Sequence, residues 1–337
     1  MTIKRMEIAN FTCKSVIGDA ELLDVFEYYV YPAMKYQEVK GSRNSETLSY
    51  KFIDLEFHKI GKELILSGRL VKNLNLKREQ ILEGEELVQS YDTMESSPSS
   101  FFALILSNHK LLWVREVPRA PLLKDFKYAV SKMLTHQRSD LIAEYILKEK
   151  QNLFSNNLKK EALERKAYGE YPDLDISVTP LGNKFTIKEK LAKFENIYNV
   201  KLKALKRNNE LGSDLNALSR IMSETQEYAK AKDIATEIKG DKDHPLDKTF
   251  ITNLVQASAD GNYEYVVKGK DEEGIDLQES NETVSLVSDI NYGDDDSENV
   301  GTMHSKFMTL TTKYHSLPRQ NDDLYDKLRK IEKNING

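Results

Sequence analysis

Apolar residues between 49 and 116 recur with a period of two rather than 3.6. Tyr50, Phe52, Leu55 and Phe57, then Leu64, Ile65 and Leu70, then the run Phe101 to Leu106, then Leu111 to Val114 mark successive strands. Ile60-Gly61-Lys62, Glu83-Gly84, Ser96 to Ser100 and Asn108-His109 separate them, so the pattern predicts an antiparallel meander joined by hairpin turns. A short strand near Lys4 to Ala9 precedes the meander, with a helix whose Leu22, Leu23, Phe26, Tyr29 and Val30 share one face until Pro32 ends or kinks it. Past Pro118 the period is helical again. Pro121 suits a first turn, and Leu122, Phe126, Val130, Met133 and Leu134 form a core stripe. Ser139 is placed to cap a second helix carrying Leu141, Ile142, Tyr145 and Ile146, and a more polar stretch runs from Gln151 to Tyr168.

The break at Tyr168-Gly169-Glu170-Tyr171-Pro172 predicts a domain boundary. Beyond it the pattern gives a strand with Ile176 and Val178, then a helix opened by a Thr186/Glu189 capping box, with Leu191, Phe194 and Ile197 facing a core. A second strand alternates Val200, Leu202 and Ala204 on one side with Lys201, Lys203 and Leu205 on the other. A long helix from Ser213 to about Lys239 follows, carrying Leu215, Leu218, Ile221, Met222 and Tyr228. Next come a hairpin of Asn262 to Val267 with Ile275 to Gln278 and, at the end, helices around Thr302 to Tyr314 and Asp322 to Ile331, split by Pro318. The expected class is α+β. An antiparallel-sheet and helix domain covers 1–168, a smaller α/β unit 172–282, and an acidic loop with C-terminal helices 283–337.

Charge changes this picture more than composition does. The net charge of −5 divides unevenly, with Lys and Arg against Asp and Glu at 13 and 16 over 1–100, 21 and 13 over 101–212, and 15 and 25 over 213–337. Within 184–207, Lys184, Lys188, Lys190, Lys193, Lys201, Lys203, Lys206 and Arg207 meet only Glu189 and Glu195. Such a block is the footprint of a surface that meets a polyanion, and also of a solubility face that protects an edge strand. Both halves of the unit contribute lysines, which favours nucleic-acid contact: phosphates need positive heads at reachable spacing and no base-reading geometry. About four to six such contacts predict a slope of log K against log salt of about −4 to −5 on duplex DNA.

Other chemistry is thin. Asp294, Asp295, Asp296 and Glu298 lack calcium-loop spacing and read as a solvated acidic loop, one that could also compete with phosphate for the basic face. Asp173 with Glu189 and Lys190 is an incomplete nuclease constellation, and Asp54, Glu56 and His58 read as the polar face of a half-buried strand. The six histidines are scattered, and no GxSxG, Walker or dinucleotide glycine pattern occurs, so no cofactor or metal is expected. The single Cys13 suits a reducing cytoplasm as a buried thiol, and no apolar run approaches the roughly 18 residues that cross a bilayer.

Three stretches carry a resemblance: SSFFALILSNHKLLWVREVPRAPLLKDFKYAV, ISVTPLGNKFTIKEKLAKFENIYNVKLKAL and YEYVVKGKDEEGIDLQES. In order and texture, residues 99–280 resemble the DNA-binding sensor proteins of the lambda Rex phage-exclusion system, the RexA family. The resemblance implies a cytoplasmic homodimer that binds DNA with little sequence preference and signals to a membrane effector. It transfers no catalytic residue. The expected function is thus a nucleic-acid-binding sensor in antiphage defence. A metal-dependent nuclease and an adaptor whose basic face meets an acidic partner are the alternatives.

Overall fold

One long strand, β1 (Thr2–Ser15), organises the chain, because its two halves recruit different partners on one side and share a third on the other. The structure, a computed structural model, describes all residues except 17–19, 42–47, 78–79, 84–85, 90–92, 153–159, 206–221, 223, 226–227, 230, 232–233, 242, 260, 262, 315–321 and 337. The expected meander forms: β2 (Glu38–Lys40), β3 (Leu48–Ile60), β4 (Glu63–Lys77), a small β5 (Gln80–Glu83) and β6 (Glu86–Gln89) hairpin, β7 (Thr93–Ser96), β8 (Ser99–Ile105) and β9 (Lys110–Arg115). In space the sheet runs β10-β1-β9-β8-β4-β3-β2, where β10 is Leu174–Pro180; β15 (Val287–Tyr292) pairs with β1 and β7 with β4.

Both faces of this sheet are covered, which explains its unbroken apolar runs. Phe102, Leu104, Leu111 and Trp113 face one core, with α3 (Leu123–Asn152) and α8 (Asp322–Asn336). Phe101, Ala103, Ile105, Leu112 and Val114 face the other, under α7 (Asp296–Tyr314) through Val300, Met303 and Phe307. Phe126 of α3 sits at the centre of the first core, edge-on to Phe11, Phe52, Phe102 and Trp113 at centroid distances of 6.0, 5.5, 5.4 and 5.5 Å. Each such pair adds about 0.5–1.5 kcal/mol to plain burial.

Several local expectations are corrected. The first strand extends to Ser15 rather than stopping at Ala9. The helix after it is three pieces, α1 (Leu22–Val25), a π turn (Phe26–Val30) and α2 (Tyr31–Tyr36), with Pro32 in the first turn of α2, where its missing N–H costs nothing. Ser139 caps no second helix: α3 is continuous, α4 (Lys160–Glu170) comes only later, and the Ser139 hydroxyl donates to the Thr135 carbonyl one turn back at 3.1 Å. A bulge in β3 between Ile53 and Glu56, with Asp54 at φ 52°, breaks the alternation that would place Asp54, Glu56 and His58 on one face.

The strand, helix, strand unit is divided between two sheets. Its first strand, β10, lies along β1 from Ala9 opposite Pro180 to Ser15 opposite Leu174. Only the rest enters the second sheet, ordered β12-β11-β13-β14 with β11 (Asn196–Ala204), β12 (Ile234–Lys239), β13 (Tyr263–Lys270) and β14 (Asp276–Ser280). The expected helix to Lys239 is overturned at its end, where Ile234, Thr236 and Ile238 turn inward and Ala235, Glu237 and Lys239 outward against β11. Leu215, Leu218 and Ile221 lie outside the described residues, as does Pro318. Backbone hydrogen bonds tie together the segments that connect the two sheets, from Leu181 N to Ile8 O of β1 at 2.9 Å, Gly182 N to Ala259 O at 2.8 Å and Leu286 N to Leu181 O at 2.6 Å. Among the described residues no helix is long and apolar enough to cross a membrane.

Candidate nucleic-acid interface

Two antiparallel helices back the second sheet, α5 (Lys184–Ala192) and α6 (Lys248–Gln256). The Thr186/Glu189 capping box is not what opens α5. Asn183 caps it, its side-chain oxygen accepting from Phe185 N at 2.9 Å and Thr186 N at 3.3 Å. Ile187 and Leu191 anchor α5 in the core, while Phe194 and Ile197 fall beyond its end and are buried in the same cluster. Asp247 caps α6 by accepting from Phe250 N at 2.6 Å, and Ile251, Leu254 and Val255 point inward. Each helix is tied to the other's far end. Lys248 Nζ donates to Ala192 O at 2.8 Å and to Phe194 O at 2.5 Å, and Gln256 Nε2 donates to Lys184 O at 2.9 Å.

Inward anchoring of both helices leaves a groove of about 710 Å³ along their outer seam, lined by Lys184, Phe185, Lys188, Ala192, Lys248, Thr249, Thr252, Asn253 and Gln256. Three of these nine are lysine and none is acidic. Among the described residues neither Lys184 nor Lys188 forms an ion pair. Phe185, on the same wall, is 67% exposed.

The eight basic positions therefore separate. Lys184 and Lys188 enter the groove. Lys190 turns away toward β14, 3.6 Å from Glu279, and Lys193 is the C-cap of α5. On β11 the alternation holds, with Val200, Leu202 and Ala204 buried, but Leu205 is buried as well rather than outward. Lys201 lies 3.4 Å from Glu237, and Lys203 stands opposite Glu264, itself 3.5 Å from Lys127 of α3. Hydrogen bonding from Asn199, then from Lys239, together with the charge of Lys201, holds the Glu237 carboxyl below its usual range against the opposing pull of desolvation. Acid that is missing between the lysines along the chain is thus supplied across the sheet. Lys206 and Arg207 lie outside the described residues.

Lys248 and the polar residues of α6 escaped the charge-based reading, although a signal was present. Asp247 followed by Ile251, Leu254 and Val255 is a capped helix with a narrow apolar stripe, which leaves Lys248, Thr252 and Gln256 on one outer line. The other candidate chemistry disperses. Asp173 pairs with Arg138 at 3.9 Å while Lys190 faces Glu279, and the His58 ring nitrogen Nε2 sits 2.8 Å from Ser67 Oγ. Asp295 accepts from Glu298 N at 2.9 Å in the first turn of α7, and Asp296 is held by Arg69. The acidic segment is a helix start and a docking contact rather than a solvated loop. Burial raises the Cys13 thiol well above its ordinary pKa, leaving it a core group without nucleophilic character. Among the described residues no group of three His, Cys, Asp or Glu side chains is placed to hold a metal. No family model, characterised protein or solved structure matches the chain.

Proposed function

We propose that this protein binds nucleic acid without sequence preference, through the groove between α5 and α6. The observation that carries the reading is a lining with three lysines and no carboxylate, on a chain whose net charge is −5. A concave, acid-free strip on an otherwise acidic protein concentrates positive potential where a phosphate backbone can lie. Its threonine, asparagine and glutamine side chains supply neutral hydrogen bonds and no arginine fork for reading guanine, in keeping with sequence tolerance. Together with the likeness to the Rex sensors, this supports a cytoplasmic homodimeric sensor in antiphage defence that passes nucleic-acid occupancy to a separate, membrane-borne effector.

The test is a pair of double charge reversals compared by fluorescence anisotropy on labelled DNA and RNA. Lys184→Glu with Lys188→Glu should weaken binding by more than tenfold while preserving the melting curve, since both side chains point outward. Lys201→Glu with Lys203→Glu should do markedly less. If the groove reversal binds as the parent does, the groove is not the nucleic-acid surface.

A further inference from the structure

We infer that the groove is built for a single strand rather than a duplex, with Phe185 as the platform on which a base stacks. This deepens the reading of the groove as a nucleic-acid site and rests on it. Phe185 is the second residue of α5 and keeps 67% of its surface open, although the cluster formed by Ile187, Leu191 and Phe194 lies on the other side of the same helix. Its ring belongs to the groove wall rather than to that core. Lys184 precedes it in the chain, and Lys188, three residues on, lies on the same helix face. An aromatic residue with a lysine before it and another one turn on, all three lining one groove, suits a nucleic-acid strand, in which each base is flanked by two phosphates.

The strandedness follows from what each form presents. A duplex offers its phosphates and its groove edges, but its base faces are already stacked on one another. A single strand exposes those faces, and stacking on an aromatic side chain is tolerant of sequence because every base has one. The facing wall agrees. Thr249, Thr252, Asn253 and Gln256 offer hydroxyl and amide groups. The Thr252 hydroxyl donates to Lys248 O at 2.7 Å, so its oxygen remains an acceptor toward the groove. That wall carries no carboxylate, and its one charged lining residue, Lys248, turns its ammonium to the carbonyls of Ala192 and Phe194.

The experiment measures anisotropy of the full chain with a short labelled oligothymidylate and with a mixed-sequence duplex of equal length. The parent should prefer the single strand. Phe185→Ala should weaken single-strand binding about tenfold, within the range of one lost stacking contact, and leave duplex binding unchanged. Phe185→Trp should restore affinity, and its added emission should be quenched by the oligonucleotide. Equal losses on both forms, no loss on either, or a parent that prefers duplex would each overturn the stacking assignment. So would an Ala variant that keeps its affinity but changes oligomeric state, since the ring would then be a protein contact. Lys184→Glu with Lys188→Glu separates the two levels. If that variant loses both forms while Phe185→Ala loses neither, only the stacking is wrong. If it too binds normally, the groove itself is wrong.

Discussion

Arg69 grips Asp296 with two parallel hydrogen bonds, Nη1 to Oδ2 at 2.6 Å and Nη2 to Oδ1 at 2.7 Å, across 227 residues of chain. The same guanidinium donates from Nε to Glu116 at 3.1 Å and lies over the Phe101 ring at 5.2 Å. Tyr292 and Ser99 hydroxyls complete the Glu116 carboxylate at 2.7 and 2.5 Å. The first turn of α7 is thereby fastened to the middle of the large sheet. Arg69→Ala should lower unfolding free energy by about 3 kcal/mol, because it strands two carboxylates that are mostly buried. Arg69→Lys should recover only part, since a single ammonium cannot reproduce the fork. Urea titration measures both. A loss under about 0.5 kcal/mol for Arg69→Ala would reduce the network to surface pairing.

The reach of that pair shows what sequence alone could and could not reveal. Strand periods in β3, β4, β8 and β9 are written locally, as are the β13 and β14 hairpin and the α+β class, so the meander was legible. The partner of β10 was not. Nothing in the alternation of Ile176 and Val178 says that they lie along Cys13 and Phe11 rather than beside β11. Ile234 to Lys239 carries a mixed pattern that pairing with β11 resolves as strand. The lysine block was visible as charge, yet its division depended on Glu237, Glu264 and Glu279, which reach it only through sheet register and packing. The groove lysines themselves, Lys184 and Lys188, were within the predicted set.

Salt dependence gives a count of the contacts. The sequence block alone would predict four to six phosphates, whereas the groove holds Lys184 and Lys188, with Lys248 beside them. Two or three contacts on a single strand give a slope of log K against log salt of about −1.4 to −2.1. A slope of about −2.8 to −3.5, that of about four or five contacts, would return Lys201 and Lys203 to the interface.

Acid should loosen the C-terminal helix. Lys327 Nζ of α8 lies 2.5 Å from the Asp24 carboxylate of α1. Partial burial pushes the Asp24 pKa up, but the bond and charge of Lys327 and the Glu21 N–H outweigh it, leaving it below the ordinary 3.8. A carboxyl depressed in the folded state stabilises above its unfolded pKa, and that contribution is lost as pH falls through the folded value. Hydrogen exchange in residues 322–336 should therefore rise, relative to the large sheet, as pH drops below about 3.8. Asp24→Asn should raise it already at neutral pH and remove the acid step. Identical exchange in parent and variant across that range would show that the other contacts of the helix, Leu328 and Ile331 in the core and Glu332 with Lys59, hold it without Asp24.

Gly269 is the tightest point of the second sheet. It stands opposite Ile197 at the bulge in β11, and a Cβ there would come within 2.1 Å of Asn196 O and 2.6 Å of Phe194 Cδ1. Neither neighbour can yield cheaply, one being backbone and the other a ring with no exposed surface. Gly269→Ala should cost about 2–3 kcal/mol by overpacking. Gly274, at φ 78° in the turn between β13 and β14, meets nothing within 4 Å, so its alanine variant should cost only about 1 kcal/mol of backbone strain. The two variants differ in reach as well as size. Phe194 O is an acceptor for Lys248, so a displaced Phe194 moves the C-terminal end of α5 against α6. Gly269→Ala should therefore weaken oligonucleotide binding even where it is still folded, while Gly274→Ala leaves binding untouched. Urea midpoints and anisotropy on the same preparations decide it: equal effects of the two substitutions on affinity would disconnect the sheet's tight point from the groove.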